Sequence, residues 1–92
     1  MSFIIDRNPE LTYNDFQKID KECFPNEPFT EGMFNELKMN YIYVVYIEEN
    51  IVGYVYFKVV QETVHISRIG VKVNHRRTGI ASKLLNAVER FC

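Results

Sequence analysis

Hydrophobic residues change their spacing several times along this chain, and the changes mark its elements. Tyr41 to Ile47 and Ile51 to Val60 are dense in β-branched and aromatic residues, with the turn-like Glu48-Glu49-Asn50 between them. Two such runs around a short polar break predict an antiparallel hairpin. Gln61-Glu62-Thr63 predicts a second tight connection, and Val64 to Val73 a further strand. Gly53 marks a close backbone approach or a bulge. Gly70 sits where a bulge is expected in the 64–73 strand. Upstream the period lengthens. Phe16, Ile19 and Cys23 recur at i, i+3 and i+7, which predicts an amphipathic helix over 13–23. Thr12 and Asp15 open it in the manner of a capping box, and Phe24-Pro25-Asn26-Glu27-Pro28 ends it.

Thr30 predicts the cap of a second helix, with Met33, Phe34 and Leu37 as its stripe and Asn40 as its stop. Phe3-Ile4-Ile5 reads as a first strand ended by Asn8-Pro9. Residues 79–91 give the clearest helix, with Ile80, Leu84, Leu85, Val88 and Phe91 on one stripe and Lys83, Asn86, Glu89 and Arg90 on the other faces. The order is β-α-α-β-β-β-α. That is an α/β chain with a largely antiparallel sheet under packed helices. It stops on a helix, where a strand–helix unit normally leads into a parallel strand.

Composition narrows the class. Ninety-two residues at 47% hydrophobic and 25% charged describe one small domain. Such a chain buries only roughly 60–65% of its unfolded surface, so its stability margin is thin. Seven Phe and six Tyr exclude a disordered tail. No apolar run is long enough to span a bilayer, and Met1-Ser2-Phe3-Ile4-Ile5-Asp6 lacks the pattern of a signal peptide. Cys23 and Cys92 do not make a disulfide framework. The expected setting is cytoplasmic, away from membranes. Charge is unevenly spread: residues 1–64 carry eleven Asp/Glu against five Lys/Arg, a balance of −6, whereas residues 65–92 carry six Lys/Arg against Glu89 alone, +5. The basic segment is either a solvated face or the seat of an anionic partner.

The chemistry concentrates between the last strand and the last helix, in Ile69-Gly70-Val71-Lys72-Val73-Asn74-His75-Arg76-Arg77-Thr78-Gly79-Ile80-Ala81-Ser82. The first N–H groups of a helix lack intrahelical partners, and the dipole places partial positive charge there. Gly79 and Ala81 keep side chains out of the way, Arg76 and Arg77 add charge, and Thr78 and Ser82 add hydroxyls. Together they predict a phosphate cradle. It is neither a Walker loop nor a dinucleotide fingerprint.

Here the chain resembles the Gcn5-related N-acetyltransferases, whose signature is [Gln/Arg]-x-x-Gly-x-[Gly/Ala] after the fourth strand and at the start of the third helix. Arg76-Arg77-Thr78-Gly79-Ile80-Ala81 matches it. Ile69-Gly70-Val71 precedes it where the family has Leu/Ile-Ala-Val, and Leu84-Leu85 follows. Phe24-Pro25 and the run of 19–34 look most similar to the branch that acetylates ribosomal-protein N-termini. The resemblance implies acetyl-CoA as co-substrate. Ile69 and Val71 would offer backbone groups to the pantetheine arm. Arg77 through Ser82 would hold the pyrophosphate, and an amide near Val71 would polarise the thioester carbonyl. Gly70, Val73 and Arg77 depart from a frequent Ala, Pro and Gly. The family's fifth strand, fourth helix and later strands have no counterpart. The resemblance thus implies a truncated acyl-CoA N-acyltransferase fold, a single partial domain over 1–92 with little activity alone.

Other candidates have competing readings. His65, four residues before Ile69, stands where some family members carry a catalytic Glu; it is a candidate base, or a half-exposed strand histidine. Glu62 reads as a turn carboxylate. His75 is a phosphate contact or simply solvated. His65, His75 and Cys23 lack metal-ligand spacing, so no metal is expected. Cys23 reads as core. Tyr41, Tyr43, Tyr46, Tyr54 and Tyr56 resemble a stacking platform for nucleic acid, but acidic residues surround them and a buried sheet accounts for them. Two function classes follow. One is an acetyl-CoA-dependent N-acetyltransferase acting on a primary or N-terminal amine of a small molecule or protein. The other is a non-catalytic CoA-binding or assembly half-domain. The open edge of the 64–73 strand further predicts a homodimer.

Overall fold

The computed structural model describes residues 4–7, 10–37 and 41–91. Along the chain run β1 (Ile4–Arg7), α1 (Tyr13–Cys23), α2 (Glu31–Leu37), β2 (Tyr41–Ile47), β3 (Asn50–Val60), β4 (Thr63–Val71), a short 3-10 turn (Val73–His75) and α3 (Ile80–Phe91). This is the order that periodicity predicts. Phe3, Asn8, Pro9, Asn40 and Cys92 fall outside the described residues, as do the side chains of Leu37 and Phe91. Thr12 caps α1 by accepting the Asp15 N–H at 3.2 Å, and Thr30 accepts the Met33 N–H at 3.2 Å ahead of α2.

The four strands form one antiparallel sheet in the order β1-β2-β3-β4. Both hairpin turns place two residues at positive φ, Glu48 and Glu49 in the first and Gln61 and Glu62 in the second. Left-handed backbone at both central positions matches the right-handed twist of the flanking strands. Helices cover both faces. Phe16, Ile19 and Phe34 pack with Ile42, Val44, Tyr54 and Tyr56 on one side. Ile80, Leu84, Ala87 and Val88 of α3 pack with Tyr43, Val45, Val55 and Phe57 on the other. Burial on both faces explains why β2 and β3 read as nearly continuous apolar runs. Tyr43, Tyr54 and Tyr56 are core residues, not a stacking surface.

Four sequence expectations need correction. β4 ends at Val71, because Val73–His75 winds into the 3-10 turn and the Val73 N–H donates to Glu22 Oε2 at 2.9 Å. A proline in its place has no N–H to give. The bulge falls at Ser67, between Arg68 opposite Tyr56 and Ile66 opposite Phe57, and Gly70 pairs in register with Tyr54. Met33 and Leu85 are 43% and 40% exposed, and Ala87 takes the core place given to Leu85. Cys23 is half-buried rather than core. Gly53 does lie close to α3: a Cβ there would stand 3.0 Å from Ile80 Cγ2.

Candidate functional site

The outer edge of β4 is built by the sheet register. The Lys72 N–H donates to the Val52 carbonyl at 2.8 Å, and Val71, Gly70 and Ile69 lie opposite Gly53, Tyr54 and Val55. Successive residues of an antiparallel strand alternate between bonding the partner and pointing away from it. Lys72 and Gly70 therefore bond β3, and the amides and carbonyls of Ile69 and Val71 face outward. The Val71 carbonyl accepts from Arg76 Nε at 3.0 Å and from the Cys23 thiol at 3.4 Å.

Beyond the 3-10 turn, Arg77 at φ 64 and Gly79 at φ 85 bend the chain into α3. Left-handed residues of this kind turn N–H groups toward a common concavity. The Lys83 N–H reaches the Gly79 carbonyl at 3.0 Å. The amides of Ile80, Ala81 and Ser82 thus precede the first intrahelical donor and lack helical partners. A Cβ on Gly79 would meet no atom within 4 Å, so the space before the turn is open.

The strand edge and the helix start bound one cleft of about 470 Å³. Ile69, Gly70, Val71, Arg76, Arg77, Gly79, Ile80, Ala81 and Ser82 line it together, joined by His75, Cys23 and Phe24. Arginines line this cleft and no Asp or Glu does. Thr78 is the one residue of the cradle outside the lining; its hydroxyl donates to the His75 carbonyl and ties the turn. His65 is exposed on β4 opposite Lys58 and does not line the cleft. Burial pushes the Cys23 thiol above its ordinary value, and the Arg76 guanidinium offsets part of the effect. At neutral pH the thiol is a hydrogen-bond donor rather than a nucleophile.

The wall containing Cys23 and Phe24 is held from inside. Asp20 is fully buried. Its Oδ1 accepts from Tyr54 Oη at 2.6 Å and Arg68 Nη1 at 3.0 Å, and its Oδ2 accepts the Phe29 N–H at 2.7 Å. Burial, then the bond to Asp20 and its charge, push the Tyr54 phenol up, so it stays a donor. Tyr56 Oη is buried with no protein partner. The sequence reading missed this cluster. Its signal was Asp20 standing four residues after Phe16 and next to Ile19, a carboxylate on an apolar stripe that calls for a buried cation.

The acetyltransferase (GNAT) family profile matches residues 10–92. The chain belongs to the GNAT acetyltransferase family. Solved structures share its fold. The ribosomal-protein-S18-alanine N-acetyltransferase of Escherichia coli superposes with a TM-score of 0.79 at 15% identity, over 95% of this chain and 57% of that one. AAC(6')-Iy in complex with the bisubstrate analogue CoA-S-monomethyl-acetylneamine gives 0.77 at 16%, over 98% and 71%. Arabidopsis thaliana Naa50 in complex with the bisubstrate analogue CoA-Ac-MVNAL gives 0.73 at 18%, over 100% and 65%. These identities establish a common fold, and the chain spans little more than half the length of the E. coli enzyme. Comparison with curated protein sequences finds no match. No helix among the described residues is long and apolar enough to cross a membrane.

Proposed function

We propose that this GNAT chain binds acetyl-CoA between β4 and α3 and serves acetyl transfer to a primary or N-terminal amine. The convergence of the Ile69 and Val71 edge with the α3 amides in one 470 Å³ cleft carries this reading. The groups suit the ligand. A pantetheine arm is a chain of amides that can pair with a free strand edge, and a pyrophosphate suits partnerless N–H groups beside arginines.

When bound, acetyl-CoA supplies a thioester activated toward amines. Ile69 and Val71 hold the arm, and the amides from Arg77 to Ser82 hold the pyrophosphate with His75 beside them. The Val71 N–H meets the charge that develops on the acetyl oxygen. The amine nitrogen bonds the acetyl carbon as the C–S bond breaks, and a proton must leave the amine and reach the sulfur. No carboxylate lines the cleft, the Cys23 thiol is held protonated, and His65 is outside it. In this reading His75, which lines the cleft, sits with the pyrophosphate, and the described residues bind and polarise without moving that proton. Turnover by this chain is expected to be low, because a missing acid or base costs about 10²–10⁴-fold. A thiol-release assay showing rates typical of complete enzymes would refute that.

The same observation favours a second reading, a CoA-binding module without catalysis. As acceptor we favour a protein N-terminus, in keeping with the Phe24-Pro25 resemblance, and as setting the cytoplasm. A homodimer through the open β4 edge would compete with the arm for Ile69 and Val71, so light scattering with and without CoA tests it. The decisive experiment is Gly79→Val, which forces a β-branched residue to φ 85 and fills the open space before the turn. Calorimetry should show CoA binding lost while circular dichroism keeps the native spectrum. Undiminished affinity overturns the assignment.

A further inference from the structure

The cleft wall at Phe24 belongs to the connection between α1 and α2, and one residue anchors both ends of that connection. The Asp20 carbonyl accepts the Phe24 N–H at 2.8 Å, and the Asp20 carboxylate accepts the Phe29 N–H at 2.7 Å. Arg68, reaching over from β4, bonds the same carboxylate and lies between the two aromatic rings. Its guanidinium carbon is 4.1 Å from the Phe24 ring centroid and 3.8 Å from that of Phe29. Tyr13 Oη fixes the Phe29 carbonyl at 2.9 Å. Phe24 itself lines the cleft, as do Ile69 and Gly70, which follow Arg68 in β4.

We infer that Asp20 and Arg68 are positioning residues for the cofactor cleft, clamping Phe24 against β4 so that the wall facing the ligand is set before it arrives. A buried ion pair is poor value as a stabiliser, since apolar residues of equal volume often do as well. What apolar residues do not supply is direction. A planar cation stacked on both the Phe24 and Phe29 rings, and bonded to a carboxylate that holds the Phe29 N–H, fixes where Phe24 stands. Neither residue lines the cleft, and both act through Phe24.

The inference rests on the reading that CoA occupies the cleft, so the test begins with the wild-type protein. Arg68→Met leaves the Asp20 carboxylate buried without its cation, and should lower both thermal stability and CoA affinity. The double variant Asp20→Asn/Arg68→Met removes both charges, keeps the volume, still lets the amide oxygen accept the Phe29 N–H, and turns its NH2 toward Tyr54 Oη, which accepts in place of donating. Its melting temperature should return close to wild type, while CoA affinity by calorimetry stays about two- to tenfold weaker, the cost of ordering one freed side chain on binding. Arg68→Lys keeps the charge without the planar stack and should bind CoA with intermediate affinity. Wild-type protein that binds no CoA overturns the cofactor reading and this inference with it. If the wild type binds and the double variant binds equally well, the inference alone falls, and the pair serves only the fold. Should Arg68→Met fail to fold, the double variant and Arg68→Lys decide the matter.

Discussion

A methyl group on Gly70 would stand 2.8 Å from Tyr54 Cε1 and 3.1 Å from the Cys23 sulfur. Tyr54 cannot swing aside, because its hydroxyl is tied to buried Asp20 at 2.6 Å. Gly70→Ala should therefore lower stability in urea by about 1–3 kcal/mol, the usual cost of forcing a tight core apart. A change within experimental error would show that the ring yields. The frequent alanine of the family is excluded here by one large neighbour on the adjacent strand. Nothing within the Ile69-Gly70-Val71 run shows that, since the constraint comes from Tyr54 sixteen residues earlier. The nine lining residues between Ile69 and Ser82 singled out as cofactor contacts were legible, because one short strand-to-helix stretch keeps its groups together by local geometry. Cys23 and Phe24 were not, since only the packing of α1 on β4 brings them to the same cleft.

The turn between β4 and α3 shows a similar tension inside one element. Arg77 holds φ 64, a conformation that costs a side-chain-bearing residue roughly 1–2 kcal/mol. It lines the cleft. Arg77→Gly is expected to raise stability in urea by about 1 kcal/mol and to weaken CoA binding through loss of a cation. Improved stability with unchanged affinity would remove Arg77 from the proposed phosphate site. At this scale periodicity served well: all three helices and the three longer strands lie where the spacing puts them. The misplacements have a common cause. The Ser67 bulge depends on register with β3, and the end of β4 depends on Glu22 of α1 taking the Val73 N–H. Both are set by partners distant in sequence.

For the molecule as a whole, the central strands are sealed on both faces, and this carries a pH signature. Burial, followed by the charge of Asp20 and for Tyr54 a bond to it, raises the phenol pKa of both Tyr54 and Tyr56. The folded state thus keeps protons that the unfolded chain gives up near pH 10. The sign follows from proton binding. Below about pH 10 both states hold these protons and stability is full. Above it the unfolded chain binds fewer protons, and stability falls as pH rises toward the folded-state values. With both phenols fully buried, the decline should approach about 2.7 kcal/mol per pH unit, one unit of linkage for each. Cys23, raised in the same sense, adds to the loss from about pH 9. Urea midpoints measured from neutral pH upward should be flat and then drop, with the last phenolate absorbance appearing only as the native spectrum is lost. Six tyrosines titrating together in a protein that stays folded would contradict the sealed sheet, and with it the packing that fixes Asp20 beneath the cleft.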